Sequence, residues 1–166
     1  MNWKAIYSSA GRGAAPLTVS EGRSAALEYL ATHQVMTLSV ASDGRVWAAA
    51  VFYVNSGFAL YFLSAGHTRH ARYIAENPWA AAAIQEDYHD WREIKGIQLE
   101  GPVSQLSGAE RKEAIALYGR KYPFIATAVG AVASALEKVN WYRLDPTRLY
   151  YIDNSQGFAH REEVPL

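Results

Sequence analysis

Two tight-turn signals set among three apolar runs constrain this chain more than any other feature. Val35–Ala41 (VMTLSVA) is apolar and β-branched, and Asp43-Gly44 follows it. Arg45–Asn55 (RVWAAAVFYVN) comes next, then Ser56-Gly57, then Phe58–Ala65 (FALYFLSA). Asp-Gly and Ser-Gly between such runs favour short hairpin turns whose twist matches that of paired strands. The pattern predicts a three-stranded antiparallel meander.

Further elements follow in order. Ser20 is placed to cap a helix running to about Thr32, with Ala26, Leu27 and Leu30 on its inner face. Thr68 is placed to cap a second helix ending at Glu76 before Asn77-Pro78. Trp79–Gln85 reads as a fourth strand, Glu86–Glu93 as a loop and Ile97–Leu106 as a fifth strand kinked at Gly101-Pro102. Ser107 with Glu110 has the spacing of a capping box for a helix to Arg120. Phe124–Lys138 reads as one alanine-rich helix, Trp141–Asp153 as a last strand interrupted at Asp145-Pro146, and 154–166 as a polar tail. The expected fold is mainly β with inserted helices (α+β), a split antiparallel β-barrel in one domain. It has an N-terminal arm at 1–18 and a helical insertion at 107–138. There is no βαβ alternation, so a doubly wound nucleotide-binding fold does not fit.

Composition narrows the chemistry. A chain of 166 residues, half of them hydrophobic, can bury a core without staples. No cysteine is present, so disulfides, thiolate zinc and a cysteine nucleophile are out. Sixteen basic and sixteen acidic residues cancel, which argues against a nucleic-acid partner. The first twenty residues lack an apolar signal-peptide core, and Phe124–Leu136 is too short to span a bilayer. The expectation is a cytoplasmic protein with no membrane partner.

The segment from Arg45 to Ala80 carries the functional argument. It runs strand, turn, strand, then Ser64-Ala-Gly-His-Thr-Arg-His70, then a helix. A helix N-terminus offers unpaired N–H groups and a positive dipole end, which together attract anions. Thr68 adds a hydroxyl there. Arg69 in the first turn opposes the dipole unless an anion is bound. Arg45 supplies a second guanidinium and Ser64 another hydroxyl. Taken singly, Arg45 reads first as a solvent-facing strand residue and Thr68-Arg69 as an ordinary helix start; it is their order and spacing together that point to an anion site. Trp47 and Tyr53 share a strand face and read first as core or interface aromatics. His67 and His70 lack accompanying carboxylates at zinc spacing, so no metal is expected. Tyr88, His89, Asp90 and Trp91 read first as a surface loop.

Arg45, Phe62–Ser64, Thr68-Arg69-His70, Asn77-Pro78 and Glu100-Gly101 follow one another as in the pyridoxamine 5′-phosphate oxidase superfamily of split barrels that bind flavin mononucleotide (FMN), which this sequence resembles. The resemblance spans about Leu27–Leu106. The tail Tyr150–Glu163 and the helical insertion are similar to a bacterial subgroup rather than to the true oxidase. The resemblance implies that Arg45, Thr68, Arg69 and the His70 position hold the FMN phosphate, with Ser64 contacting phosphate or ribityl. It sets backbone groups of Trp47 and Ala48 at the flavin ring edge. Gln98 lies near the position of a family glutamine, which falls on Gly96. It also implies a homodimer with flavin at the subunit interface.

Departures limit what carries over. Two family lysines fall on Ala50 and His70. At about 1–2 kcal/mol per charge-assisted contact, FMN binding should weaken ten-fold or more. A family tryptophan falls on Ile152, and a substrate-binding Arg and His pair falls near Phe158 and His160, so pyridoxamine phosphate oxidation is not expected. The sequence leaves three readings: an FMN-dependent oxidoreductase acting on a small molecule, a non-catalytic flavin or haem carrier, and a cofactor-free barrel. His160 reads as a solvated loop residue, a substrate contact or a haem ligand, in that order.

Overall fold

The computed structural model describes residues 18–166. The predicted arm at 1–18 therefore lies, but for Thr18, outside the described residues. Helix α1 spans Val19–Thr32, and Thr18, not Ser20, caps it. Thr18 accepts from the Glu21 N–H while Glu21 reaches back to the Thr18 N–H, a reciprocal capping box. The Ser20 assignment missed Glu21 as the residue three positions on from Thr18.

The meander forms as the turns dictate. Strand β1 is Val35–Ser42, β2 is Arg45–Ser56 and β3 is Ala59–Ser64. Asp43 and Gly44 both have positive φ, at 49° and 68°, as a primed two-residue turn requires. The second turn is Gly57-Phe58, one residue later than predicted, because Ser56 pairs with Ala59. Gly57 takes the positive φ, and Phe58 leaves the strand to be buried under Arg23, whose guanidinium carbon is 4.6 Å from the ring centre.

Helix α2 is Arg69–Glu76, β4 is Trp79–Gln85 and β5 is Lys95–Gln105. A single 3-10 turn, Trp91–Glu93, sits in the predicted loop before β5. Helix α3 is Gly108–Lys121. The capping box expected there is absent: Ser107 occupies the cap position without a side-chain bond. The predicted single helix 124–138 is two, α4 (Pro123–Ala126) and α5 (Ala131–Lys138). Gly130 sits between them with φ 59° and ψ −129°, a backbone conformation that glycine admits and a continuing helix does not.

The predicted last strand is two strands, β6 (Asn140–Leu144) and β7 (Arg148–Asp153), parted by Asp145-Pro146. The tail read as polar loop contains a 3-10 turn, Asn154–Gln156, and an eighth strand, β8 (Arg161–Glu163), paired with β7. Three residues are too few for alternation to show in sequence.

Strands run in the order β4-β1-β2-β3-β6-β5-β7-β8, and β4 also pairs with β5. That last pairing closes six strands into a barrel and leaves β7 and β8 as an extension. Two long strands make the split. Strand β2 pairs with β1 over its first part and with β3 over its last four residues. Strand β5 pairs with β4 and β7 first, then with β6. The barrel is filled by Leu30, Met36, Leu38, Tyr53, Leu60, Phe62, Ile84, Ile97, Leu144 and Leu149, all essentially inaccessible.

Helix α3 seals the split. Where β2 changes partners its carbonyls need donors. Tyr118 donates to Phe52 O, Tyr122 is shared between Tyr53 O and Gln34 O, and Lys121 reaches His33 O. Lys121 lies 4.5 Å from the Tyr53 ring centre, and burial holds its ammonium down to about 8. Tyr122→Phe would take this donor from the buried Tyr53 carbonyl, while Gln34 O keeps the Tyr53 N–H. It should lower stability by about 1–3 kcal/mol, read as a drop in the urea midpoint with an unchanged slope.

Candidate functional site

The helix start after β3 is built from a directed hydrogen-bond chain. Thr68 Oγ1 donates to Ala65 O at 2.9 Å and accepts from the Ala71 N–H. Its own proton being used, Thr68 accepts from Ser64 Oγ at 3.0 Å. Ser64 in turn accepts from His70 Nε2–H at 2.6 Å. The chain His70, Ser64, Thr68, Ala65 O therefore fixes the imidazole tautomer. Three of the sequence-predicted site residues meet here.

His70 is buried, and burial holds its imidazole below the ordinary value of 6.5. Burial thus disfavours a cation at this position, and the imidazole is held against Ser64. A depressed histidine contributes stability that is present above pH 6.5 and lost as pH falls through the folded-state value. The fall in Tm on going below that pH should be larger for the native chain than for His70→Gln. Equal falls would show that the pair is not the acid-sensitive element.

Arg69 takes a different direction. Its guanidinium runs along α2 to bond the Tyr73 hydroxyl at 2.9 and 3.2 Å, and lies 4.7 Å from the Trp47 ring centre. No acidic residue stands in the first turn of α2, and among the described residues no ion pair involves Arg69 or Arg45. Arg45 begins β2 on the Trp47 face, two residues or about 7 Å along the strand. Its register partner Ser42 bonds Glu76 at the other end of α2. Two guanidiniums without carboxylate partners thus flank Trp47, beside a helix start carrying two hydroxyls. That donor set suits an anion, and a phosphate in particular.

Trp47 and Tyr53 do share one face of β2, but Tyr53 is in the core while Trp47 lies at the barrel's end, partly exposed under Arg69. Ala48 points outward. Gln98 does not join this group. It lies three strands away from β2, across β1 and β4, in an open cavity of about 380 Å³ on the outer sheet face. Ser39, Glu100, Arg148, Tyr150 and Arg161 line it too. Sequence reading missed these residues because only the strand register brings five separate segments onto one face. His160 lies in the β7–β8 connection, where its carbonyl accepts from the Asp153 N–H. Its Nε2 is buried, makes no hydrogen bond among the described residues and sits 4.0 Å from a Glu162 carboxylate oxygen.

The family model for pyridoxamine 5′-phosphate oxidase matches residues 23–153. The chain belongs to the pyridoxamine 5′-phosphate oxidase family. A UPF0306 protein of Photorhabdus laumondii is 34% identical over 135 residues, covering 80% of this chain and 88% of that one. Among solved structures, a heme binding protein from Mycobacterium smegmatis superposes with TM-score 0.69 at 18% identity, over 90% of this chain and 59% of that one. A FAD-binding protein from Mesorhizobium loti gives 0.58 at 18% identity, over 75% of this chain and 88% of that one. These likenesses establish the oxidase-family barrel. Among the described residues no helix is long and apolar enough to cross a membrane, and no group of three or more His, Asp or Glu stands ready for a metal.

Proposed function

We propose that this protein holds FMN by its phosphate and acts as a flavin-dependent oxidoreductase on a small molecule. The observation that carries the reading is Arg69: a guanidinium with no carboxylate partner among the described residues, lying over Trp47 beside the Ser64–Thr68 helix start. Arg45, Arg69, Thr68 and Ser64 would hold the phosphate, and Trp47 and Ala48 would border the ring. A bound flavin would supply the hydride chemistry, so the chain itself needs no strong base. Its residues bind the anion, set the ring against β2 and shield it from water.

Assembly as a homodimer is part of this reading. The outward face of β1 and β2 shows Val46, Phe52 and Val35 at 81, 53 and 43% exposure, beside Ala48 and Ala50. Apolar surface of that kind is commonly covered by a partner. The flavin would then lie at the subunit interface.

A haem carrier is the second reading, favoured by one observation, the buried Nε2 of His160, which has no hydrogen bond among the described residues. The absorption spectrum of the purified protein, before and after adding FMN and removing the excess, separates the two. Retained flavin bands support the oxidoreductase reading. A colourless protein that does not retain FMN overturns it. A Soret band on reconstitution with haem, abolished by His160→Ala, would then establish the second.

A further inference from the structure

We infer that the outer-face cavity is a binding site for a small planar organic acid carrying an N–H donor next to its acidic group. The inference rests on the flavin reading only for the occupant's role as substrate; the binding itself stands on the cavity.

Strand register assembles the site. Ser39 pairs with Ala81, Ala81 with Glu100, and Glu100 with Arg148; one step along, Ala83 pairs with Gln98, and Gln98 with Tyr150. All of these side chains point outward, since residues alternate between sheet faces. Ala81 and Ala83 give a low, flat apolar floor that larger side chains would fill. Beyond them rises a wall of mixed charge, in which Glu163 pairs with Arg148 and accepts from the Tyr150 hydroxyl while Arg161 has no such partner among the described residues. The Arg161 guanidinium carbon lies 3.8 Å from the Tyr150 ring centre, and Arg148 stands 3.6 Å from Glu163. Arg161 has no ion pair among the described residues, so its charge faces the cavity without a carboxylate partner.

Glu100 decides the ligand class. It is half-buried on the cavity wall and, among the described residues, has no ion pair or side-chain hydrogen bond. It stands beside Arg148 in the register, so a bare anion bound by the two arginines would meet its repulsion. An N–H donor next to the ligand's acidic group removes that conflict by bonding Glu100. Gln98 and Ser39, likewise free of side-chain bonds among the described residues, supply neutral donors and acceptors at the edge. A planar body matches the flat floor. Ser39 also pairs with Ala48, so an occupant would lie one strand, about 4.8 Å, from the proposed ring edge.

The test is an amide-shift titration of the full chain with 2-aminobenzoate, with benzoate as the comparison. Expected shifts centre on Ala81, Ala83 and Gln98, with 2-aminobenzoate binding more tightly than benzoate. Arg148→Ala with Arg161→Ala should weaken both about ten-fold or more, and Glu100→Gln should erase the preference between them. All three substitutions should leave FMN retention unchanged, so failure here and failure of the flavin site are told apart. Absence of those shifts at the probe's solubility limit overturns the inference. So does an Ala81 amide already shielded from a soluble relaxation agent without probe, which would give this face to a second copy of the chain.

Discussion

Replacing Arg45 and Arg69 together with alanine should lower FMN affinity by about 100-fold or more while leaving the far-UV circular dichroism unchanged. A hydrogen bond to a charged group contributes about 1.5–3 kcal/mol, so losing two removes about 3–6 kcal/mol. The fold should not notice. Arg45 is exposed at the strand start, and Arg69 touches the partly exposed Trp47 and the hydroxyl of Tyr73, whose ring packs against the core independently of the guanidinium. The single variants separate the contributions. Arg69→Ala also loses the stacking on Trp47, which should brighten or shift tryptophan fluorescence without FMN present. Lysine at position 69 keeps the charge but not the planar fork, and should recover part of the affinity. Fluorescence quenching of FMN on titration reads all of these. An affinity unchanged in the double variant would reject the phosphate site outright.

That site was only partly legible in the sequence. Ser64, Thr68 and His70 could be grouped because they lie within one turn and one helix start, where spacing alone fixes proximity. The role of His70 could not be read, since burial and a 2.6 Å bond to Ser64, not residue type, disfavour a cation there and hold the imidazole against Ser64. The Arg69–Trp47 contact joins a helix to a strand and has no local signature. Glu100, Arg148 and Arg161 were invisible as a group for the same reason: three strands had to be paired before they shared a face. The meander was legible because its turns demand particular residues, with glycine at 44 and 57 taking positive φ. Strand β8 was not, because its three residues are defined by their partner in β7 rather than by any periodicity of their own.

Gly101→Ala should be severely damaging, with stability falling by about 3–5 kcal/mol or no soluble protein recovered. Gly101 lies in β5 where that strand leaves β7 and turns to pair with β6. The β6–β7 connection crosses directly over it and is pinned on both sides: Asp145 N–H bonds Pro102 O at 3.0 Å, and Thr147 N–H bonds Glu100 O at 2.9 Å. A Cβ at Gly101 would overlap the Asp145 carbonyl oxygen and stand 2.8 Å from its carbonyl carbon and 3.0 Å from Pro146 Cα. All three atoms are backbone, so no side-chain rotation relieves the contact. Relief requires lifting the connection, which breaks at least one of the two pinning bonds and shifts Glu100 and Arg148, neighbours in register on the cavity wall. Gly44→Ala is the matched comparison. Among the described residues nothing lies within 4 Å of its Cβ position, so it suffers only the strain of φ 68° and should cost about 1 kcal/mol. Urea unfolding of the two variants decides the matter. A Gly101→Ala protein as stable as Gly44→Ala would mean that the connection over β5 yields freely, and that the split of the barrel is not locked at this crossing.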